Sequence, residues 1–351
     1  MEQANVFDVT IIGAGPAGLY SAFYSGLREM KTKIIEFQPQ LGGKIHVYPE
    51  KMIWDVGGLA PLPGAKLIEQ LVQQGLTFSP EVVLNEKVTS IVKNSDGIFV
   101  LDTTSGTKHY SRTVIAASGR GILTPQKLQI EGAERFEVSN LNYTVKSLKQ
   151  FKDKTVLVSG GGHSAVDWAN ELCPVAKQVY VVCRKDTMTG HEAQVNQLMN
   201  CDNSSCMLQQ SISKLIASDN HERIERVQLT CLKTGEVSEI AVDEVVINHG
   251  YDWDKELIQN SRLDIRVAED GYIEGSVLGA SSVPGLFAAG DVLKHEGKLN
   301  LIAGAFQDAA NAVNQAKLYI QPDASKIAMV SSHNEQFKER NRELVKQMMS
   351  T

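Results

Sequence analysis

Apolar residues form short continuous runs followed by glycine-rich turns, and this arrangement occurs twice along the chain. The first run, residues 6–12 (VFDVTII), leads into GAGPAG and then into a helix-like segment at 19–27. The second run, residues 155–159 (TVLVS), leads into GGGHSA and a similar segment at 166–172. A short apolar run bounded by turn residues is typical of a buried strand, so each copy predicts a strand–turn–helix unit.

The two copies continue in the same way. Each has a second apolar strand, at residues 33–35 and 178–183, and then several β-rich stretches separated by polar turns. These stretches predict a β-meander in each copy: residues 87–93, 98–103 and 109–117 in the first, and 211–217, 224–231 and 237–248 in the second. Because the repeat is about 100 residues long, it indicates duplicated domains rather than a solenoid.

Both glycine turns match the dinucleotide-binding pattern GxGxxG/A in the context that it requires, after a strand and at the start of a helix. The first glycine permits a tight turn, the second lets the backbone approach a pyrophosphate, and the third position allows close helix–strand packing. The helix N-terminus supplies N–H donors and a positive dipole. The predicted turn residues are Gly13, Gly15 and Gly18 in the first site and Gly160, Gly162 and Ser164 in the second, where Ala165 takes the third glycine position.

Charged residues at the ends of the second strands distinguish the two sites. Glu36 lies 23 residues after Gly13. Arg184, followed by Lys185, lies 24 residues after Gly160. At this spacing each position faces the ribose of a bound nucleotide, where a carboxylate binds hydroxyls and repels a 2′-phosphate, and a cation attracts that phosphate. The first site is therefore predicted to bind FAD or NAD, and the second NADP.

The segment GLFAAGD favours FAD at the first site. Asp291 ends a predicted parallel strand, and its carboxylate can bind hydroxyls of the ribityl chain if it lies beside the glycine turn. Two adenosine sites with opposite preferences in one chain predict two cofactors, FAD and NADP, and electron transfer between them.

The domain organisation follows from the segment after Gly250. It starts no third repeat, but adds a strand and an alanine-rich helix at about 303–319, which need the sheet of the first unit as a partner. The fold class is therefore α/β, with two Rossmann-like, doubly wound domains that each contain a β-meander. The predicted domains are an FAD-binding domain at 1–119 and 250–331, an NADP-binding domain at 120–249 inserted into it, and a C-terminal helical extension at 332–351.

Composition and charge exclude several classes of protein. The chain has 351 residues and a net charge of −6, which argues against nucleic-acid binding through a basic surface. No apolar run approaches the roughly 20 residues of a membrane span, and no signal peptide is evident, so a cytoplasmic protein is expected. The five cysteines include no CxxC pair, which makes a disulfide framework or a zinc site improbable.

The motifs IIGAGPAGL, LGGK-x4-PEK, GGGHSAVDWA, CRKD and GLFAAGD together resemble the two-dinucleotide-binding flavoproteins related to thioredoxin reductase. The resemblance covers residues 1 to about 325. Thioredoxin reductases carry a redox CxxC in or near the NADP-binding unit, and this chain has none. With its YPEK run and its C-terminal extension, the chain is more similar to the ferredoxin–NADP⁺ reductases of the thioredoxin-reductase-like type, which are homodimers.

The resemblance implies further FAD contacts. Lys44 and Tyr48 are expected in the loop that passes the flavin, with Tyr48 stacked on the isoalloxazine ring. Val88 is expected to offer backbone groups to the adenine. Leu123 is expected near the flavin ring, and Ser332 to bring the C-terminal segment onto the flavin of the partner subunit.

The resemblance also implies an activity, in which electrons pass between NADPH and ferredoxin or flavodoxin through FAD, without a covalent catalytic residue. Two alternatives remain open: an NADPH-dependent disulfide, quinone or nitro-compound reductase, and a flavin- and NADP-binding sensor or interaction protein without turnover. Four lysines are predicted to form a basic patch at the mouth of the flavin site that attracts an acidic carrier: Lys44, Lys51, Lys294 and Lys298.

Overall fold

The computed structural model describes residues 5–121, 124–252, 254–329 and 333–349. The chain forms two compact units. The first comprises Met1–His46, Met52–Ile122 and Trp253–Thr351, and the second comprises Val47–Lys51 and Leu123–Asp252. The short segment 47–51 thus belongs by its contacts to the second unit, although it lies within the first part of the sequence.

The described residues form strands and α-helices, with one run of consecutive strands after the second helix and another after the fourth. The strands are β1 (Val6–Ile12), β2 (Thr32–Ile35), β3 (Met52–Ile53), β4 (Leu62–Pro63), β5 (Glu81–Val83), β6 (Val88–Lys93), β7 (Phe99–Thr103), β8 (Lys108–Ala116), β9 (Thr124–Pro125), β10 (Leu141–Asn142), β11 (Thr155–Ser159), β12 (Gln178–Cys183), β13 (Ser204–Leu208), β14 (Gln210–Ala217), β15 (Ile224–Cys231), β16 (Val237–Ala241), β17 (Glu244–Ile247), β18 (Tyr251–Asp252), β19 (Ile273–Glu274), β20 (Leu286–Ala288) and β21 (Leu293–Lys294). The α-helices are α1 (Pro16–Leu27), α2 (Gly64–Gly75), α3 (His163–Leu172), α4 (Glu192–Met199), α5 (Glu256–Asn260), α6 (Ile302–Ile320) and α7 (Lys338–Met349).

The first unit is built on a parallel sheet in which β5, β2, β1, β8 and β20 are neighbours in that order. On its edge away from β1, strand β8 pairs with two strands: antiparallel with β7 at its start and parallel with β20 at its end. Strand β7 pairs in turn with β6. Helices α1 and α6 pack on one face. The small residues Ala305, Ala309 and Ala312 of α6 are buried there. Burial on both faces explains the near-continuous apolar sequence of β1.

The second unit repeats the parallel arrangement, with β10, β17, β11, β12 and β13 as neighbours. Its meander is a separate three-stranded sheet of β14, β15 and β16. The prediction of a single strand over residues 237–248 is therefore wrong, because the chain leaves the meander at Val242 and enters the parallel sheet. Asp243 makes this change of sheet, since its N–H donates to the carbonyl of Thr155 and its carboxylate accepts the N–H of Thr155 at 2.7 Å.

A buried polar cluster lies where the strands of the first sheet begin. The ammonium of Lys33 donates to Nδ1 of His109 at 3.0 Å, pairs with Glu81 at 2.9 Å and lies 4.2 Å from the centre of the Phe7 ring. Burial lowers the pKa of His109, the charge of Lys33 lowers it further, and Glu86 and Glu81 oppose both effects. Protonation of His109 places a second cation against Lys33, so the folded state disfavours it.

Replacement of His109 by Gln is therefore expected to make the protein less sensitive to acid. In the unfolded chain a histidine titrates near pH 6.5, so around and below that pH the unfolded state binds more protons at this position than the folded state does, and stability falls as the pH falls. The His109→Gln variant should reduce the pH slope of the unfolding free energy by up to about 1.4 kcal/mol per pH unit where the unfolded histidine is fully protonated, and by up to about half of that at pH 6.5. Denaturant titrations between pH 5 and 7 measure this slope, with the exposed His221→Asn as control. Equal slopes in the wild type and the His109→Gln variant would contradict the expectation.

Candidate functional site

The first glycine turn joins the end of β1 to the start of α1. Gly13 has a φ of +99°, a backbone conformation that glycine adopts readily and other residues rarely do. A side chain at this position would also lie 2.6 Å from the carbonyl oxygen of Ala117. At Gly18 a side chain would lie 1.9 Å from the carbonyl oxygen of Gly13, so glycine is what lets α1 approach the end of β1.

The start of α1 presents unused hydrogen-bond donors. Gly15 precedes the helix without a side-chain cap, and Pro16, the first helical residue, has no N–H. Among the described residues no acceptor is found for the N–H groups of Ala17 and Gly18. The first N–H groups of an α-helix have no intrahelical partner, and together with the helix dipole they bind phosphate. The turn therefore offers donors where a pyrophosphate is predicted.

Glu36, at the end of β2, is held against the same turn. Its side chain is buried, with one carboxylate oxygen accepting the N–H of Ala14 at 2.6 Å and the other that of Gln38 at 2.8 Å. Each oxygen keeps a second lone pair. The carboxylate is thus fixed at the carboxyl edge of the sheet, where it can accept ribose hydroxyls and repel a 2′-phosphate.

The segment that carries Val88 is hydrogen-bonded to the backbone of Glu36. The carbonyl of Glu36 accepts the N–H of Glu86 at 3.1 Å, and Val88 follows as the first residue of β6. The pairing of β6 with β7 is interrupted by a register shift between Val88 and Ser90. The segment that carries Val88 therefore lies beside the predicted ribose site, and its contact with adenine stays a prediction.

The LGGK segment packs directly on the glycine turn. The N–H of Gly42 donates to the carbonyl of Ala14 at 2.9 Å. A side chain at Gly43 would lie 2.6 Å from the Cα of Gly15, so the two glycine backbones are in contact. The second motif of the sequence pattern thus forms part of the same site as the first.

Asp291 lies beside the turn as well. It belongs to a single 3-10 turn directly after β20, and a side chain at the preceding Gly290 would lie 2.8 Å from the Cβ of Ala17 in α1. Lys44 is also near. Desolvation by the surrounding protein lowers the pKa of Lys44. The negative charge of Asp291 raises this pKa, and the positive charge of Arg120 lowers it further. The structure thus brings Asp291 and Lys44 together with the first glycine turn.

Three predicted flavin contacts stay untested. Tyr48 lies in the segment 47–51, which belongs to the second unit. There the Thr144 hydroxyl donates to the carbonyl of Val47, and the N–H of Leu148 donates to Glu50. The stacking of Tyr48 on the isoalloxazine ring stays a prediction. Leu123 and Ser332 lie outside the described residues.

The second glycine turn joins β11 to α3 and is as tightly packed as the first. A side chain at Gly160 would lie 2.4 Å from the carbonyl oxygen of Asn248, and one at Gly161 would lie 2.1 Å from the Sγ of Cys183. At Gly162 a side chain would meet nothing within 4 Å. The first two glycines are therefore required by packing, whereas Gly162 borders the open space that a pyrophosphate is predicted to fill.

The start of α3 also presents donors to this space. Within the described residues no acceptor is found for the N–H groups of His163, Ser164 and Ala165. The His163 ring lies 4.8 Å from the His191 ring, centre to centre. The two histidines are 28 positions apart in the sequence, and no local pattern relates them. The structure places both beside the helix terminus that carries the predicted Ser164.

The predicted 2′-phosphate residues lie at the end of β12. Arg184 and Lys185 are exposed, and neither has a carboxylate within ion-pair distance among the described residues. Sequence reasoning missed a neighbour, His249, which follows β17 on the other side of β11. Its Nε2 lies 2.9 Å from the hydroxyl of Ser159, and burial and then the charge of Arg184 lower its pKa. His249 therefore lies at the edge of the predicted NADP site, in surroundings that favour its neutral form.

The expected basic patch is largely neutralised. Lys51 pairs with Asp167, Lys294 pairs with Asp270 at 2.8 Å, and Lys298 is buried against Asp308. Of the four lysines, Lys44 is the one with no such pair in the part of the chain that the structure describes. The prediction of four cooperating lysines is therefore wrong, because partners distant in sequence compensate three of the charges.

All five cysteines are free thiols. Among the described ranges, no group of three or more His, Cys, Asp or Glu side chains is placed to hold a metal ion. Across those same ranges, no helix has both the length and the apolar sequence that a membrane span needs.

Comparison with known proteins agrees with this geometry. Residues 7–316 match the family described as pyridine nucleotide-disulphide oxidoreductase. A Bacillus mycoides protein named ferredoxin--NADP reductase 1 is 70% identical over 99% of this chain and 100% of its own length. An Exiguobacterium sibiricum protein named ferredoxin--NADP reductase 2 is 66% identical over 100% of this chain and 99% of its own. The structure of Lactococcus lactis thioredoxin reductase has a TM-score of 0.75 at 27% identity, covering 90% of this chain and 99% of that one.

Two glycine turns on parallel sheets, with opposite charges at the predicted ribose positions, fit the class shown by the family match, an oxidoreductase that uses two nucleotide cofactors. The chain belongs to the pyridine nucleotide-disulphide oxidoreductase family, and within it to the ferredoxin--NADP reductases. The α/β fold class and the family resemblance predicted from the sequence are confirmed.

Proposed function

We propose that the protein transfers electrons between NADPH and a one-electron carrier protein, ferredoxin or flavodoxin, by means of bound FAD. Relatives at 66–70% identity over nearly their full length are named ferredoxin--NADP reductase, which supports this activity. The observation that carries the proposal is the contrast between Glu36 and Arg184 at equivalent strand ends. It supports an unphosphorylated ribose, as in FAD, in the first unit and NADP(H) in the second.

The residues of the first unit fit FAD. The unused N–H groups of Ala17 and Gly18 suit a pyrophosphate, the fixed carboxylate of Glu36 suits a ribose, and Asp291 lies where a ribityl chain is expected. When bound, FAD accepts two electrons as a hydride and can release them one at a time. The side chains bind and orient the cofactor.

Cys173 is a poor candidate for carrying electrons. No CxxC pair exists in the sequence. Burial raises the pKa of the Cys173 thiol to about 12, and the neighbouring Cys201 and Cys206 add to the effect. A thiol must be deprotonated to attack a disulfide, so this group is inert near neutral pH. We infer that electrons leave from the flavin itself. Five free thiols also suit the reducing cytoplasm in which we propose that the protein acts.

We further propose a homodimer. Helix α7 exposes apolar side chains on one side, with Leu344 48%, Val345 52% and Met348 76% exposed. A helix with such a face normally covers another protein surface. Phe337, which precedes α7, already packs on the ring of Phe78 with 5.2 Å between ring centres. The family resemblance supports the same assembly.

Anaerobic turnover with NADPH tests the proposed activity. Ferredoxin, flavodoxin and a small aromatic disulfide are offered in parallel to the wild type and to a variant in which all five cysteines are Ser. Both proteins are expected to reduce ferredoxin or flavodoxin at the same rate at saturating NADPH, and the disulfide only slowly. Because Cys183 lies against the glycine turn, the KM for NADPH is the parameter that can change.

The outcomes separate the alternatives. Loss of carrier reduction in the cysteine-free variant, or turnover that is fastest with the disulfide, would favour a disulfide reductase. A yellow protein that NADPH does not bleach would favour a sensor without turnover.

A further inference from the structure

A buried carboxylate that is not among the predicted cofactor contacts binds the backbone of the residue before Asp291. Asp308 on α6 is 4% exposed. One of its oxygens accepts the N–H of Gly290 at 3.1 Å and pairs with the ammonium of Lys298, and the other lies 3.2 Å from Nε2 of His295. The lysine side chain is itself 11% exposed, so this ion pair is shielded from water.

The same lysine binds the backbone of the turn. Its ammonium donates to the carbonyl oxygen of Gly290 at 2.7 Å, while Asp308 accepts the N–H of Gly290. Both polar groups of one residue are therefore held by one ion pair. The carbonyl of Gly290 belongs to the peptide bond that joins Gly290 to Asp291. The ion pair therefore fixes the plane of this peptide, and with it the position from which the Asp291 side chain extends.

Stability alone does not explain this arrangement. A buried ion pair loses the hydration of both charges, and apolar side chains of similar volume often stabilise a fold as well or better. The best-supported role of such a pair is to specify one conformation. Here the specified conformation is the single 3-10 turn Gly290–Val292. This turn packs closely on α1, because a side chain at Gly290 would lie 2.8 Å from the Cβ of Ala17.

We propose that Lys298 and Asp308 are positioning residues for FAD, which act by orienting Asp291 toward the ribityl chain. This rests on the assignment of FAD to the first unit. The pair holds the Gly290–Asp291 peptide so that the Asp291 carboxylate meets the ribityl hydroxyls without a rearrangement on binding. Because the adenosine end of FAD is held by the glycine turn and Glu36, the pair acts on the flavin end only.

The test compares FAD with ADP, which has the adenosine and pyrophosphate but no ribityl chain. In protein freed of its cofactor, the Lys298→Met variant is expected to bind FAD about 10- to 100-fold more weakly, as for the loss of a hydrogen bond to a charged group, and ADP with unchanged affinity. Lys294→Met, an exposed lysine on the neighbouring strand, is the matched control and should leave both affinities unchanged. Titration calorimetry measures the affinities of the wild type and both variants for FAD and for ADP.

Two further variants protect the test. If Lys298→Met does not fold, Asp308→Asn keeps the volume and an acceptor for Gly290 but removes the charge, and should show the same loss for FAD alone. Combined with Asp291→Ala, Lys298→Met should add no further loss of FAD affinity, since the lysine acts through Asp291.

The opposing outcomes are distinct. Equal weakening of FAD and ADP would show a general structural defect and overturn the proposal, as would unchanged FAD affinity. A wild-type protein that binds no FAD would instead overturn the assignment of the first site.

Discussion

The Glu36→Arg variant is expected to fold and to purify without flavin. In the wild type, the Glu36 carboxylate is 7% exposed and is bonded to two backbone N–H groups. Arginine at this position removes an acceptor for the ribose hydroxyls and places a cation against N–H donors. Loss of two charge-assisted hydrogen bonds corresponds to a fall in FAD affinity of about 100-fold or more. The absorbance ratio of flavin to protein after purification measures the effect.

A matched variant separates the site from the charge change. Glu69→Arg makes the same substitution on an exposed position of α2, where Glu69 pairs with Lys66, and should retain full flavin. Binding of NADP⁺ to the second unit should be equal in both variants, which shows that the colourless protein is folded. If Glu36→Arg retains its flavin, the first site has been assigned wrongly.

Much of the fold could be predicted because local sequence carries its signal. Strands β1 and β12 have the bounds expected for them, since each is a buried parallel strand with an almost unbroken apolar run. Strand β13, with the sequence SSCML, was not predicted. It lies at the edge of its sheet, and its half-buried polar residues do not form the apolar run that indicates a buried strand. The division of residues 237–248 into β16 and β17 was also missed. It depends on the tertiary bond between Asp243 and Thr155, which no local pattern shows.

The same distinction holds for the candidate site. The glycine turns and the charges of Glu36 and Arg184 follow from spacing, because a strand, a turn and a helix fix their relative positions over some 25 residues. The partners of the lysines do not follow from spacing. Lys51 meets Asp167 across 116 residues of sequence. A lysine near a predicted site therefore shows its charge in the sequence, whereas the carboxylate that neutralises it is visible only in the structure.

Replacement of Arg184 by Ala is expected to weaken NADPH binding about 10- to 100-fold, which is the effect of losing one charge-assisted hydrogen bond to the 2′-phosphate. NADH should bind as weakly to the variant as to the wild type, because it has no 2′-phosphate. Lys214→Ala, which removes an exposed cation on β14, is the control and should change neither coenzyme. Steady-state KM values with NADPH and NADH, together with NADP⁺ titrations, measure the preference.

The neighbouring His249 supplies a second readout that does not depend on turnover. Its pKa is lowered first by burial and then by the charge of Arg184. Removal of Arg184 eliminates the second cause and leaves the first, so the pKa of His249 should rise in the variant and remain below the ordinary value for histidine. Binding of a 2′-phosphate neutralises the same charge and should raise it in the wild type. An NMR titration that shows no rise in either case, or equal losses of NADPH and NADH affinity in the variant, would mean that Arg184 does not face the 2′-phosphate.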